Sequence, residues 1–313
     1  MLKILIYTDG SPAAAAALRF GAILAERLGT EIAIITVCPR SCVIDEPPMV
    51  GENIPQVEWD SLPTEIQILT HSMGLLAELG FLVSQPSINI LEVENGYLFL
   101  SFTPSGHRVQ FYVCYGDLIE ALNREVAADW HSLFVIAQQR SGRFERLVGG
   151  DIVRRIVLDL NSSVLVVRGG EMDSRFLVCV DGSLSACSEF PLLNQLLPAV
   201  LAPIDLIWVQ VPQASEGEVR TGKECIRQAR TWLDSCGKPG ALLEYKGMSP
   251  CDLILKEAGN QSVIVMGASL RHDLSRRLKG SLPLEVSAWT DSSVLVVKFP
   301  PEGDTDFFKE TKQ

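Results

Sequence analysis

Histidine is scarce in this chain: His71, His107, His131 and His272 are the four in 313 residues. They stand far apart, and no Ser-His-Asp or Cys-His set gathers around any of them, so no nucleophilic machinery is evident. No carboxylate pair falls at a telling spacing either. No apolar run reaches the roughly 18 residues that a membrane-spanning helix needs. Basic charge is short as well. Lys and Arg number 27 against 38 Asp and Glu, a net charge of −11, and a nucleic-acid surface needs the opposite balance. The local exception is the run Arg140, Arg143, Arg146, Arg154 and Arg155. The first residues, Leu2 to Tyr7, read as a strand with a single Lys and no small-residue cleavage site. No secretory leader is therefore expected, and the expected location is the cytosol.

Eight cysteines are present. Cys114 and Cys179 lie inside apolar strand patterns, where a thiol packs as a small hydrophobe, and a cytosolic setting disfavours disulfides. Cys38 and Cys42 form the one close pair. No second Cys/His pair follows at the distance of a zinc finger, so no metal site is expected.

What the chain does hold is a repeat. Lys3-Ile4-Leu5-Ile6-Tyr7-Thr8-Asp9-Gly10-Ser11 returns as Arg175-Phe176-Leu177-Val178-Cys179-Val180-Asp181-Gly182-Ser183, an offset of 172 residues. Ser162-Ser163-Val164-Leu165-Val166-Val167 returns letter for letter from Ser292 to Val297, an offset of 130. The first copy is therefore 42 residues longer than the second. At about 150 residues per domain the length also predicts two domains. The expected division is 1–168, with an insertion over about 41–107, then 175–299, with a short Gly-rich linker between them and a charged tail over 300–313.

Each copy opens with an apolar strand, an Asp-Gly-Ser turn, a helix and a second apolar strand, which is a parallel βαβ unit. In the first copy Ser11 is the expected N-cap, Pro12 the first helical residue and Gly29 the C-terminal stop. The second copy continues in strict alternation: strands over 204–211, 242–245, 262–266 and 294–297, helices over about 185–197, 219–236, 250–258 and 281–288. Five strands and four helices make a doubly wound sheet. In the first copy, Ser41 to Pro63 is acidic and Pro-rich and reads as a surface loop. A helix is expected over about 64–79. Ile88–Glu94, Asn95-Gly96 and Tyr97–Phe102 predict a hairpin, and a second turn leads into Val109–Cys114. The expectation is an antiparallel meander added at an edge of the first sheet.

In an open α/β sheet, ligands sit at the carboxyl ends of the strands where the strand order reverses. Asp9 and Asp181 lie there. A carboxylate at that place can accept from ribose hydroxyls, or it can simply shape the turn and cap the next helix. After the fourth strand of the second copy come Gly267, which allows close backbone approach, and Gly280-Ser281, which opens a helix whose free N–H groups suit a phosphate.

These features resemble the universal stress protein family, and the whole chain resembles a tandem member. The resemblance spans about residues 1–40, 108–168 and 175–298. It implies two tandem doubly wound five-stranded parallel sheets of Rossmann-like, adenine-nucleotide α-hydrolase-like form. Nucleotide-binding members show G-x2-G-x9-G-[ST] after strand four. The second copy keeps Gly267, Gly280 and Ser281 but has Leu270 for the middle glycine. The first keeps Gly150 alone, with Ala137 and Arg140 for the other glycines and Asp151 for the Ser/Thr, a carboxylate where a phosphate would rest.

The resemblance thus implies a nucleotide site in the second copy only, built from Asp181, Gly182, Ser183, Val209, Gly267, Gly280, Ser281 and Leu282. The ligand implied is ATP, carried with Mg2+. It further implies strand-five pairing in an intramolecular form, Val164–Val167 against Val294–Val297. The leading expectation is a non-enzymatic stress-response protein that senses an adenine nucleotide and acts on a protein partner. The first alternative is a scaffold that binds no nucleotide and works through the meander and acidic loop. The second is a weak nucleotide hydrolase.

Overall fold

The computed structural model describes residues 2–39, 50–129, 133–138, 146–168, 175–180, 190–212, 214–246, 249–269 and 282–299. The first half runs β1 (Ile4–Tyr7), α1 (Pro12–Leu28), β2 (Ile32–Cys38), β3 (Asn53–Pro55), a 3-10 helix (Gln56–Ser61), α2 (Thr64–Glu78), β4 (Ser87–Asn89), β5 (Leu91–Val93), β6 (Gly96–Phe102), β7 (Arg108–Tyr115), α3 (Leu118–Asp129), β8 (Leu133–Ala137), α4 (Arg146–Asp159) and β9 (Ser163–Val167). The second runs β10 (Arg175–Cys179), α5 (Phe190–Leu196), β11 (Ile204–Gln210), α6 (Glu216–Ser235), β12 (Leu242–Lys246), α7 (Pro250–Ala258), β13 (Ser262–Ser269), α8 (Leu282–Trp289) and β14 (Ser293–Phe299).

One sheet of twelve strands crosses both halves, in the order β12-β11-β10-β13-β14-β9-β8-β1-β2-β7-β6-β5. Each half contributes five parallel strands in the order third, second, first, fourth, fifth, as the apolar runs predict for strands covered on both faces. Helices α1, α2, α5 and α6 bury Ala17, Leu69, Leu193 and Ala229 on one face. Helices α3, α4, α7 and α8 bury Leu122, Ile156, Ile254 and Val286 on the other. Both cores run unbroken across the middle of the sheet.

The halves join where the repeated Val-Leu-Val-Val segments meet. β9 and β14 pair antiparallel, with Val164 opposite Val296, Leu165 opposite Leu295 and Val166 opposite Val294. This is the expected intramolecular pseudo-dimer. Its borders are symmetric too. Arg168 N donates to Ser293 Oγ at 3.1 Å, and Lys298 N donates to Ser163 Oγ at 3.1 Å.

The added length of the first half falls as two stretches, one on each side of α2. That helix lies between the second and third parallel strands on the same face as α6, so it is the counterpart of α6 rather than an addition. The acidic segment read as a loop holds β3 and the 3-10 helix, because Ile54 and Trp59 bury themselves and β3 pairs with β4. The meander β5-β6-β7 extends the first sheet at its edge, as expected. Its turn is displaced by one residue. Asn95 takes the left-handed conformation at φ +61, while Gly96 is the first residue of β6, paired with Val93 and Cys114. A Cβ at position 96 would lie 1.7 Å from the Val113 carbonyl oxygen, so glycine is needed there for close approach rather than for the turn.

Candidate functional site

The strand order reverses between β1 and β8 in the first half and between β10 and β13 in the second. The crossovers before and after these strands lie on opposite faces, which leaves a crevice at their carboxyl ends. The two crevices begin alike. Thr8 N bonds Ile35 O at 2.9 Å, and its repeat mate Val180 N bonds Ile207 O at 2.9 Å.

In the first half the Asp-Gly-Ser turn is fully visible, and it is occupied with itself. The Asp9 carboxylate accepts from Ser11 N at 2.9 Å, and Thr8 Oγ1 accepts from Gly10 N at 3.2 Å. Ser11 Oγ accepts from Ala14 N at 3.2 Å, capping α1 ahead of Pro12. The first turns of α2 press on the same edge. A Cβ on Gly10 would meet Ile68 Cγ1 at 3.0 Å. Glu65, buried, accepts from Tyr115 Oη at 2.5 Å, and Tyr97 packs edge-on to Tyr115. Burial, with Asp9 and Cys38 nearby, pushes the Tyr7 phenol up to about 12. Burial, and then the hydrogen bond to the Glu65 carboxylate, push the Tyr115 phenol up as well.

The far side of that crevice differs from expectation. Gly150 and Asp151 were expected where a helix opens; they lie inside α4, which starts at Arg146. They are past the first four residues, whose N–H groups alone are free for a ligand. The backbone of α4 thus begins ahead of Gly150. Gln138, next after Ala137, is turned instead to the seam, where its Oε1 accepts from Arg168.

In the second half Asp181, Gly182, Ser183, Gly280 and Ser281, with Leu270, lie outside the described residues. Three site residues are described. Val209 is next to last in β11. Gly267 was expected at the end of its strand, but β13 runs on to Ser269, and Gly267 pairs with Val297 inside it. Leu282 is the first residue of α8 and rests half-buried against the core. Beside Val209, a cleft of about 470 Å³ opens between the end of β11 and the start of α6. Gln210, Gly217, Thr221 and Gly222 line it, over the indole of Trp208. Where α2 brings Glu65 and Ile68 to the first sheet, α6 brings small residues. α6 also starts well, with Ser215 and Glu218 forming a reciprocal cap. Among the described residues no three His, Cys, Asp or Glu side chains gather as a metal site, and no helix is long and apolar enough to cross a membrane.

The model of the universal stress protein family matches residues 1–168, more than half of the chain. The chain belongs to the universal stress protein family. The match falls on the longer first half, and the second half joins it through the repeat and the matching strand order. A universal stress protein from Archaeoglobus fulgidus is similar at 16% identity, covering 95% of this chain and 96% of its own, with a TM-score of 0.58. A protein of unknown function from Pseudomonas aeruginosa is similar at 16% identity over 95% of this chain and 92% of its own, with a TM-score of 0.62. At such identity the likeness is one of fold, and it extends over both halves. A universal stress protein solved in complex with cAMP aligns over 40% of this chain and 96% of its own, at 22% identity and a TM-score of 0.33. No curated protein matches the chain.

Arg168 and Lys298 escaped a reading aimed at strand ends. The signal was there: each copy of Ser-Ser-Val-Leu-Val-Val is followed at once by a basic residue.

Proposed function

We propose that this universal stress protein is a regulatory nucleotide sensor with one working site, in the second half, and that ATP with Mg2+ is its ligand. The observation that carries the reading is the contrast between the two crevices. The cleft between β11 and α6 is open beside Val209, lined by Gly217, Thr221 and Gly222, while at the matching edge of the first half Ile68 packs on Gly10. The base end of the nucleotide would lie toward Val209 and Gly267. Asp181 would take the ribose, and Gly280 and Ser281 the phosphates at the start of α8. The first half then serves as the rigid mate that completes the sheet.

Filling the cleft tests this. ATP binding by equilibrium dialysis is expected to be lost in Thr221→Trp and kept in Ile68→Trp. Binding that survives Thr221→Trp would contradict the assignment.

A scaffold role through the added stretches has one observation in its favour. Val57, Val83 and Phe102 lie there with exposures of 89%, 48% and 44%, Val83 N bonds Phe102 O at 2.9 Å, and exposed apolar residues that adjoin mark interaction sites. If that role holds, changing these three residues to Ser abolishes partner capture while ATP binding stays as it was.

A further inference from the structure

The two ends of the twelve-stranded sheet are treated differently. In the first half the third parallel strand, β7, is covered along its outer edge by β6 lying antiparallel. In the second half the equivalent strand, β12, ends the sheet, and among the described residues no strand pairs with its outer edge. Its backbone groups are set for pairing. Leu206, opposite Leu242 in register, donates its N–H to Ala241 O at 2.8 Å. Residues 241, 243 and 245 therefore turn their N–H and C=O toward β11, and Leu242, Glu244 and Lys246 turn theirs outward. Glu244 and Lys246 are also exposed through their side chains, on the same face.

We propose that β12 pairs antiparallel with β12 of a second copy of this chain, across a two-fold axis at Tyr245. This register sets Glu244 opposite the mate's Lys246 and Lys246 opposite the mate's Glu244. Both are residues with outward backbone groups, so each opposed pair exchanges two hydrogen bonds. Tyr245 meets its own mate in the non-hydrogen-bonded position. The neighbouring registers fail on charge. A two-fold at Glu244 or at Lys246 puts like charges face to face, which destabilises a pair, and one at Leu243 faces Glu244 with Leu242. Registers displaced by half a step match outward groups to inward ones. A Glu and a Lys on a bare edge normally repel strange strands. In the Tyr245 register the same two residues become complementary, so they admit a copy of this edge and reject others. The interface is isologous and closes at two.

Light scattering on the full chain, eluted at a series of concentrations, tests the proposal. The wild type is expected to shift toward twice the monomer mass as concentration rises. Lys246→Glu, which lines the joint with carboxylates, is expected to weaken the dimer by about tenfold or more. The double variant Glu244→Lys with Lys246→Glu restores opposite charges and is expected to regain it. Tyr245→Cys is expected to give a dimer linked through residue 245 on oxidation, since the Cα atoms of such a pair lie about 4.5 Å apart, within disulfide reach. A protein monomeric at every concentration would overturn the proposal. So would a dimer that Lys246→Glu leaves intact and that does not link through position 245.

Discussion

Arg168 and Lys298 occupy the same place in the two copies, and each reaches the last carbonyls of the other copy's final helix. Arg168 Nη2 donates to Ser287 O at 2.7 Å near the end of α8. Lys298 Nζ donates to Leu160 O, just past α4. A cation at a helix C-terminus meets the negative end of the dipole. The pseudo-two-fold seam is thus closed by backbone pairing at its centre and by two buried cations at its rims.

The two cations differ in one respect: Lys298 can shed its charge. Burial holds its ammonium down to about 7, with Asp159 pulling weakly the other way. Above that pH the folded protein has released this proton, while the unfolded chain holds it to about 10.5. The unfolded state binds more protons, so this residue makes stability rise with pH from about 7 upward. The gain is on the order of 2 kcal/mol by about pH 9. Lys298→Met is expected to flatten that part of the profile and to equal or exceed the wild type at pH 7. Urea unfolding of both proteins at pH 7 and at pH 9 checks this. A shared slope would contradict it.

Arg168 cannot deprotonate, and its removal behaves differently. Arg168→Ala strips Gln138 Oε1, Ser287 O and Ser292 O of their donor at a buried seam. Each buried acceptor left bare costs about 1–3 kcal/mol, so a loss of about 3 kcal/mol is expected, with little dependence on pH. Arg168→Lys should recover part of it, since one ammonium cannot serve all three acceptors. Chemical denaturation of both variants measures the difference.

Tyr115→Phe removes the phenolic donor to the buried Glu65. An orphaned buried acceptor costs about 1–3 kcal/mol, more when charged. Glu65→Gln in the same background should return part of the loss. A double-mutant cycle with a coupling near zero would mean that the two side chains do not support each other.

Gly96→Ala is the most severe single change expected in the added stretches. Its Cβ would meet the Val113 carbonyl at 1.7 Å, so β6 must part from β7. A loss of about 3 kcal/mol or more is expected, along with faster amide exchange in β6.

The layers of this fold were legible because both copies open with an apolar strand, a turn, a helix and a second apolar strand, and the second copy continues in strict alternation. Ser11, Pro12 and Gly29 bound α1 as local chemistry demands, and the identical Val-Leu-Val-Val segments pair as a buried seam should. The rest depended on contacts distant in sequence. Asn95-Gly96 is a turn signal, yet Gly96 answers to Val113, seventeen residues away, and the turn shifts. Gly150-Asp151 mimics a helix start, yet α4 begins a turn earlier. The packing of Ile68 on Gly10 needed the placement of α2, which no local pattern encodes. The Val209 cleft likewise depends on small residues of α6 facing β11, a matter of helix orientation.

Calorimetric titration of ATP with Mg2+ tests the central claim, one working site in a two-copy chain, most directly. It is run on the intact protein and on Ser281→Asp, which gives the second copy the carboxylate of the first. The expected result is one equivalent bound by the wild type and none by the variant. Two equivalents, no binding by the wild type, or binding untouched by the substitution would each contradict it.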